Sequence, residues 1–169
     1  MNAMETAAIC YELAKIDVSA ATFILVHNGI GMSIIDYLGD EEQKSRLLPK
    51  GMSFEKIFSF GLTEPSNGSD ASNLLTNARK VEGGWILNGQ KRWIGNGTLG
   101  DVIVWARNTE DNNRIQAFVV EKGSPGFTAK KMEGKMALRI TQNAEIDLKD
   151  VFVPDFNKLT HSKDFGTGT

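Results

Sequence analysis

Apolar residues recur at three- and four-residue steps through the first part of the chain. Ala7, Ala8, Tyr11, Leu13 and Ala14 predict a helix over 4–16. Asp17 and Ser19 are cap-type residues for a second helix over 20–38. That segment is apolar over most of its circumference, through Phe23, Ile24, Val26, Ile30, Met32, Ile34 and Ile35. Such a helix is expected to be buried among others, with Gly29 and Gly31 weakening it or admitting a close neighbour. Gly39 ends it. Asp40 with Gln43 forms a capping-box pattern for a short helix through Leu48, stopped by Pro49. Its acids at 40–42 precede Lys44 and Arg46, which suits the helix dipole and reads as a solvated face.

Beyond Gly51 the period shortens to that of strands. Phe58 to Gly61 starts apolar, as a buried strand does, and the chain then breaks into Pro, Asn, Gly and small hydroxyl residues up to Asp70. Trp85-Ile86-Leu87, Asn88-Gly89 and 90–94 predict a hairpin, because Asn-Gly accepts the positive φ angles of a type I′ turn. Strands follow over 102–106 and 115–120, around a polar turn at 109–113. Gly123-Ser124-Pro125-Gly126 then turns the chain into 127–132. In 145–153, Ile146 and Leu148 lie on one face and Val151 and Val153 on the other, which predicts a bulge near Lys149-Asp150.

The fold class expected is α+β. A helical part over 1–51 precedes a compact β-barrel-like or sandwich domain over 52–155, and 156–169 reads as a disordered tail.

Composition narrows the function classes. The 169 residues carry 41% apolar residues, a normal core fraction, and a formal charge of −2, which offers no basic field for nucleic acid. The lone Cys10 sits in a helical apolar pattern and reads as a buried structural thiol. No continuous apolar run of roughly 18 residues appears, so no membrane span is expected. Neither a secretory leader nor a C-terminal peroxisomal tripeptide is visible. His27 reads as a hydrogen-bonded core or pocket-lining residue, and Cys10, His27 and His161 have no metal-ligand spacing.

The candidate chemistry lies between Phe58 and Asp70. Backbone amides around Gly68 can form a concave donor site, and Thr63, Ser66 and Ser69 add hydroxyls of the kind a flavin, nucleotide or phosphate needs. An ordinary Pro/Gly turn accounts for the same residues. Glu64 and Asp70 are open to reading as a general acid/base pair, against the commoner role of turn carboxylates accepting backbone hydrogen bonds. Lys91 and Trp93 share a face by strand alternation.

Leu62-Thr63-Glu64-Pro65 followed after two residues by Gly68-Ser69-Asp70 resembles the L-T-E-P-x-x-G-S-D signature of the acyl-CoA dehydrogenase and oxidase family. Asn88-Gly89-Gln90-Lys91-Arg92-Trp93-Ile94-Gly95-Asn96 is similar to its N-G-x-K-x-W-I-T-N segment, and Leu138-Arg139 with Asp150 to Pro154 supplies a third match. Thr22 to His27, 91–96 and Thr141-Gln142-Asn143 most resemble the peroxisomal short-chain acyl-CoA oxidases of plants.

The resemblance implies α,β-dehydrogenation of an acyl-CoA thioester with FAD, in a homo-oligomer, and a peroxisomal location. It assigns Phe60, Gly61, Leu62, Thr63, Glu64, Pro65 and Gly68 to the stretch lining the flavin. Thr63 donates to the pyrimidine edge, and Ser69 serves both flavin and acyl-CoA. Trp93 stacks on the ring, beside Ile94 and Gly95. Gly95 replaces the family's usual Thr and is expected to leave room for oxygen beside flavin N5, which favours an oxidase. A dehydrogenase passing electrons to an electron-transferring flavoprotein, and a non-catalytic flavin or acyl-CoA binding module, stand as alternatives. The family's C-terminal helical domain, with its catalytic glutamate, has no counterpart in the 169 residues, so no catalytic residue is assigned and turnover by this chain alone is not expected. Arg139 reads as a surface or inter-subunit ion-pair residue.

Overall fold

Asp17 separates the first two helices by taking an extended backbone, φ −154° and ψ 118°, while its side chain accepts from Ser19 N at 2.6 Å. The computed structural model describes residues 3–139 and 141–165. Helix α1 (Ala3–Ile16) precedes this cap and buries none of its residues fully; Cys10 on it is half-buried, more open than its pattern predicts.

After the cap the chain stays helical from Val18 to Leu38 but changes winding. It passes from α2 (Val18–Ile24) through a π-helical stretch (Leu25–Met32) into α3 (Ser33–Leu38). Ser33 Oγ donates to Asn28 O at 2.9 Å, a five-residue step that suits the wider winding. The expected all-round burial does not hold. His27, Gly31 and Ile35 face inward and are buried, whereas Val18, Leu25 and Ile30 are 53%, 42% and 42% exposed. This helix is 21 residues long and holds an 18-residue window of mean hydropathy 1.6, apolar and long enough to cross a membrane, a test that a core helix passes equally. Here its inner stripe lies on the sheet: a Cβ on Gly31 would stand 2.9 Å from that of Phe58.

The capping box at Asp40 forms as the pattern predicts, with Gln43 N bonded to Asp40 Oδ1 at 2.8 Å and Asp40 N to Gln43 Oε1 at 3.1 Å. Helix α4 (Glu41–Met52) does not stop at Pro49. Proline lacks one helical donor and crowds the preceding turn, yet the winding continues and Ser53 N closes onto Pro49 O at 3.1 Å.

Among the described residues, seven strands form one mixed sheet: β1 (Phe58–Gly61), β2 (Asn77–Val81), β3 (Gly84–Ile94), β4 (Asp101–Asn108), β5 (Arg114–Val120), β6 (Phe127–Lys131) and β7 (Ala144–Pro154). One edge of β4 pairs with antiparallel β5. Its other edge pairs in parallel first with β1 and then, at Arg107 and Asn108, with β2. An antiparallel run β2-β3-β7-β6 completes the sheet. The sheet curls, because Trp85 on β3 reaches Phe118 on β5, a strand it does not pair with, at 5.4 Å between ring centroids. The concave side encloses Leu87, Val104, Phe118, Ile146 and Val151. On the outer side of β4 and β5, Ile103, Trp105 and Val119 pack with Ile35, Leu38, Leu47 and Phe58. This is the expected α+β class, a helical part followed by a curled half-barrel.

Asn88-Gly89 is not a hairpin turn. Strand β3 runs through it, and the turn lies earlier, at Glu82-Gly83, with Gly83 at φ +73°. Pairing with β7 on both sides of Asn88 outweighs the local turn preference. Gly89 serves a close approach instead, since a Cβ there would stand 2.7 Å from Thr76 Cα.

The predicted bulge is present. Leu87 to Gly89 on β3 faces Val151 to Leu148 on β7, one residue more, and Asp150 takes φ +51°. The extra residue returns Val151 and Val153 to the core face of Ile146 and Leu148. Strand β2, a polar run with a single buried side chain, carries no pattern that sequence reasoning registered.

The expected disordered tail is corrected over 156–165. Gln43 Nε2 donates to Phe156 O at 3.0 Å and Lys158 O at 2.7 Å. Leu159 is fully buried, its N–H on Ala117 O at 3.0 Å, and Phe165 meets Trp105 edge-on at 4.9 Å. These few apolar anchors give the strap its hold. Residues 166–169 lie outside the described residues.

Candidate functional site

Gly61 lets the end of β1 lie flat on β4, since a Cβ there would meet Val102 Cγ1 at 2.8 Å. The chain then leaves the sheet. Thr63 O accepts from Arg92 N at 2.8 Å, so the loop is tied to β3 at once. Glu64 and Asn67 close a turn by mutual backbone bonds of 3.1 and 3.3 Å.

The Glu64 side chain turns inward and is buried. It accepts from Leu75 N at 2.6 Å, Thr76 N at 2.9 Å and Lys91 Nζ at 2.8 Å. Lys91 also donates to Leu62 O at 3.1 Å. One buried ion pair therefore joins the loop motif to the strand motif. Burial pushes the Glu64 carboxyl up, but hydrogen bonds from Lys91, Thr76 and Leu75, with the Lys91 charge, outweigh it and hold the group below its ordinary range. Burial also dominates at Lys91, lowering it from 10.5 to about 8 against the opposing pull of Glu64. Asp70 is exposed and accepts from Ser72 Oγ at 3.2 Å and Asn73 Nδ2 at 2.7 Å. The acid/base reading of this pair has no geometric basis, because each carboxylate is spent on its own local partners.

Lys91 and Trp93 do not share a face. Three steps on β3, from Lys91 to Ile94, oppose two on β7, from Ile146 to Ala144, so a second bulge falls at Arg92-Trp93. Trp93 takes φ +63°, which turns its indole outward to 54% exposure while Lys91 stays buried. Strand alternation cannot anticipate this, because a single left-handed residue inverts it. Gly95 is not open either. A Cβ there would stand 3.0 Å from Val26 Cγ2 and 3.4 Å from Val26 Cγ1, so the π-helical valine occupies the room that glycine leaves. Buried Asn96 ties the turn to the same helix, with Nδ2 on Phe23 O at 3.1 Å.

The remaining candidates divide by exposure. Phe60 is half-buried, edge-on to Trp105 at 6.1 Å, and Leu62, Thr63 and Gly95 are half-buried as well. Ile94 joins Gly61 and Glu64 in the interior, while Pro65, Gly68 and Ser69 lie on the exposed turn of the loop. A Cβ on Gly68 would meet nothing within 4 Å. The structure thus brings Thr63 beside the Arg92-Trp93 bulge and leaves Gly68 and Ser69 facing outward. Arg139 is exposed, and its Nε donates to Lys135 O at 3.0 Å within its own loop. His27 is fully buried, Nε2 on Gly51 O and Nδ1 accepting from Phe58 N, both at 3.0 Å. Val26, Asn96 and Asn143 are neighbours of the site that sequence reasoning missed or read only as resemblance. An isolated Val or Asn in a chain gives no local signal of what it will face.

Two family models match this chain: the acyl-CoA dehydrogenase N-terminal domain over residues 1–55 and the acyl-CoA dehydrogenase middle domain over residues 59–151. The chain belongs to the acyl-CoA dehydrogenase family. An acyl-CoA dehydrogenase of Bacillus subtilis is 39% identical over 152 residues, covering 88% of this chain and 40% of that protein. A glutaryl-CoA dehydrogenase from Mycobacterium smegmatis superimposes with a TM-score of 0.92 at 37% identity, over 98% of this chain and 42% of its own. A glutaryl-CoA dehydrogenase structure from the same organism in complex with FADH2 superimposes with a TM-score of 0.87 at 37% identity, over 93% and 40%. The chain therefore spans about two fifths of the length of the acyl-CoA dehydrogenases it matches.

The site residues fit a flavin on their own chemistry. A large aromatic face stands exposed on a constrained backbone, one residue from the strand amide that holds the hydroxyl-bearing Thr63. That set suits a planar ring with a polar edge.

Proposed function

We propose that this chain is the flavin-facing part of an enzyme that removes hydrogens from the α and β carbons of an acyl-CoA thioester. FAD, when bound, supplies the hydride acceptor. The observation that carries this reading is the outward indole of Trp93 beside Thr63, both locked to one frame by the buried Glu64–Lys91 pair. In it, Trp93 offers the stacking face, the Thr63 hydroxyl donates to the polar ring edge, and Ser69 on the outer turn reaches acyl-CoA. Gly61, Glu64 and Ile94 shape the frame from the interior. Glu64 and Asp70 are engaged by their own partners, so neither is read as the base that takes the α proton.

An FAD titration of this chain, read by flavin fluorescence, tests the assignment. Saturable quenching that disappears in Trp93→Ala is expected. Undiminished quenching in that variant would remove Trp93 from the site, and binding with no turnover in any longer form would favour the binding-module reading.

For the electron acceptor we favour a partner flavoprotein over oxygen. The relatives named above are dehydrogenases, and Val26 fills the room beside Gly95 on which the oxidase argument rested. The oxidase reading, with its peroxisomal location, keeps the support of the Lys91-to-Asn96 and Thr141-to-Asn143 phrases. Peroxide formation in air by the full-length homo-oligomer decides between them, and Val26→Ala is expected to increase it.

A further inference from the structure

The Thr141-Gln142-Asn143 triplet precedes β7, outside the loop-and-strand site, yet each of its residues reaches that site or the helix beside it. Asn143 Nδ2 donates to Trp93 O at 3.1 Å. Gln142 Oε1 accepts from Thr98 Oγ1, in the turn that follows Gly95 and Asn96. Thr141 Oγ1 donates to Ser19 O at 3.4 Å, at the start of α2.

Behind the triplet stands Lys135. Its ammonium donates to Leu138 O at 2.7 Å, Thr141 O at 2.5 Å and Asn143 Oδ1 at 2.7 Å. All three of its donors are therefore used. With Oδ1 held by a cation, the Asn143 amide has only one satisfied orientation, and in it Nδ2 faces the Trp93 carbonyl. Leu138, left-handed at φ +52°, is held through its carbonyl by the same ammonium.

Trp93 needs such support. A left-handed backbone is unfavourable for a bulky side chain and persists only where the surroundings over-determine it. The indole itself supplies little anchorage at 54% exposure. We propose that Lys135, Gln142 and Asn143 act as a positioning clamp that keeps the Trp93 indole turned out from the sheet in one orientation, as the receiving face for a planar ring. The identity of that ring rests on the flavin reading above; the clamp does not.

The test is 19F NMR of the chain labelled with 5-fluorotryptophan, which has three tryptophans. Trp93→Phe assigns the exposed one, and Trp85 and Trp105, 7% and 5% exposed, serve as internal controls. Asn143→Asp keeps an acceptor for Lys135 but removes the donor to Trp93. It is expected to broaden the Trp93 line and move it toward its denatured position, with the other two lines unmoved. An unmoved Trp93 line overturns the clamp. If all three lines collapse, Thr98→Val, which cuts the same clamp at Gln142 without touching β7, is read in its place against the same two outcomes.

Titration of Asn143→Asp with FAD is a separate arm. Weakening on the order of tenfold is expected, as when a supporting hydrogen bond behind a ligand-binding group is lost. A moved Trp93 line with unchanged FAD affinity overturns the receiving-face role. A wild-type chain that binds no FAD overturns the reading that these residues hold the flavin by themselves, while the fluorine lines still decide the clamp.

Discussion

Lys91 and Glu64 tie two motifs that lie 27 residues apart into one frame, and the stability of that frame depends on charge. Lys91→Met leaves a buried carboxylate facing only its backbone donors and is expected to cost about 3–5 kcal/mol, read from urea denaturation midpoints. The two groups also set the pH response. Glu64 titrates below its ordinary 4.5 in the folded protein, so its contribution is complete above that value and disappears as pH falls through the folded one. The acid-unfolding transition of Glu64→Gln is therefore expected to be shallower than that of the wild type. Lys91 is lowered from 10.5 to about 8, so the unfolded chain binds the extra proton between these values. The wild type is expected to gain stability relative to Lys91→Met as pH rises through that window, provided stability is compared at each pH by denaturant titration.

At the scale of elements, the π-helical stretch is where helix meets sheet. His27 projects from it and bonds both the end of α4 and the start of β1 through its two ring nitrogens. Replacing it with Leu orphans Phe58 N, at about 1–3 kcal/mol for that buried group, while Gly51 O keeps its bond from Phe54 N at 3.0 Å. The expected consequence is local: faster hydrogen exchange at Phe58 and its neighbours on β1 before any change in the β3–β7 pair. Equal acceleration across both regions would contradict a local role.

The legible parts of these elements are those written in neighbouring residues. The Asp40–Gln43 box and the Lys149-Asp150 bulge follow from side chains a few positions apart. The Asn88-Gly89 turn failed because its competitor, pairing with β7, lies some sixty residues away and leaves no local trace.

Over the whole molecule, the curled sheet is closed on its outer side by the strap of residues 155–165. Leu159 is its fully buried anchor, and Phe165 covers Trp105. Leu159→Ala is expected to cost about 2–5 kcal/mol, measured by thermal or urea unfolding. Truncation after Pro154 is expected to shift tryptophan emission to the red as Trp105 becomes hydrated. An unchanged melting temperature and spectrum in both variants would show the strap to be a passive tail.

By itself the sequence determined the α+β order, the helix caps, most of the strands and the two motifs that mark the family. These follow from local spacing and residue type, which act over a few positions. Only the tertiary structure decided which way Trp93 faces, that Glu64 is a structural anion bound to Lys91, that Val26 occupies the room beside Gly95, and that residues 156–165 are held on the core. Each of those outcomes depends on a partner far along the chain. Burial and pairing with that partner outweigh the local preference, so the residue alone carries no sign of the result.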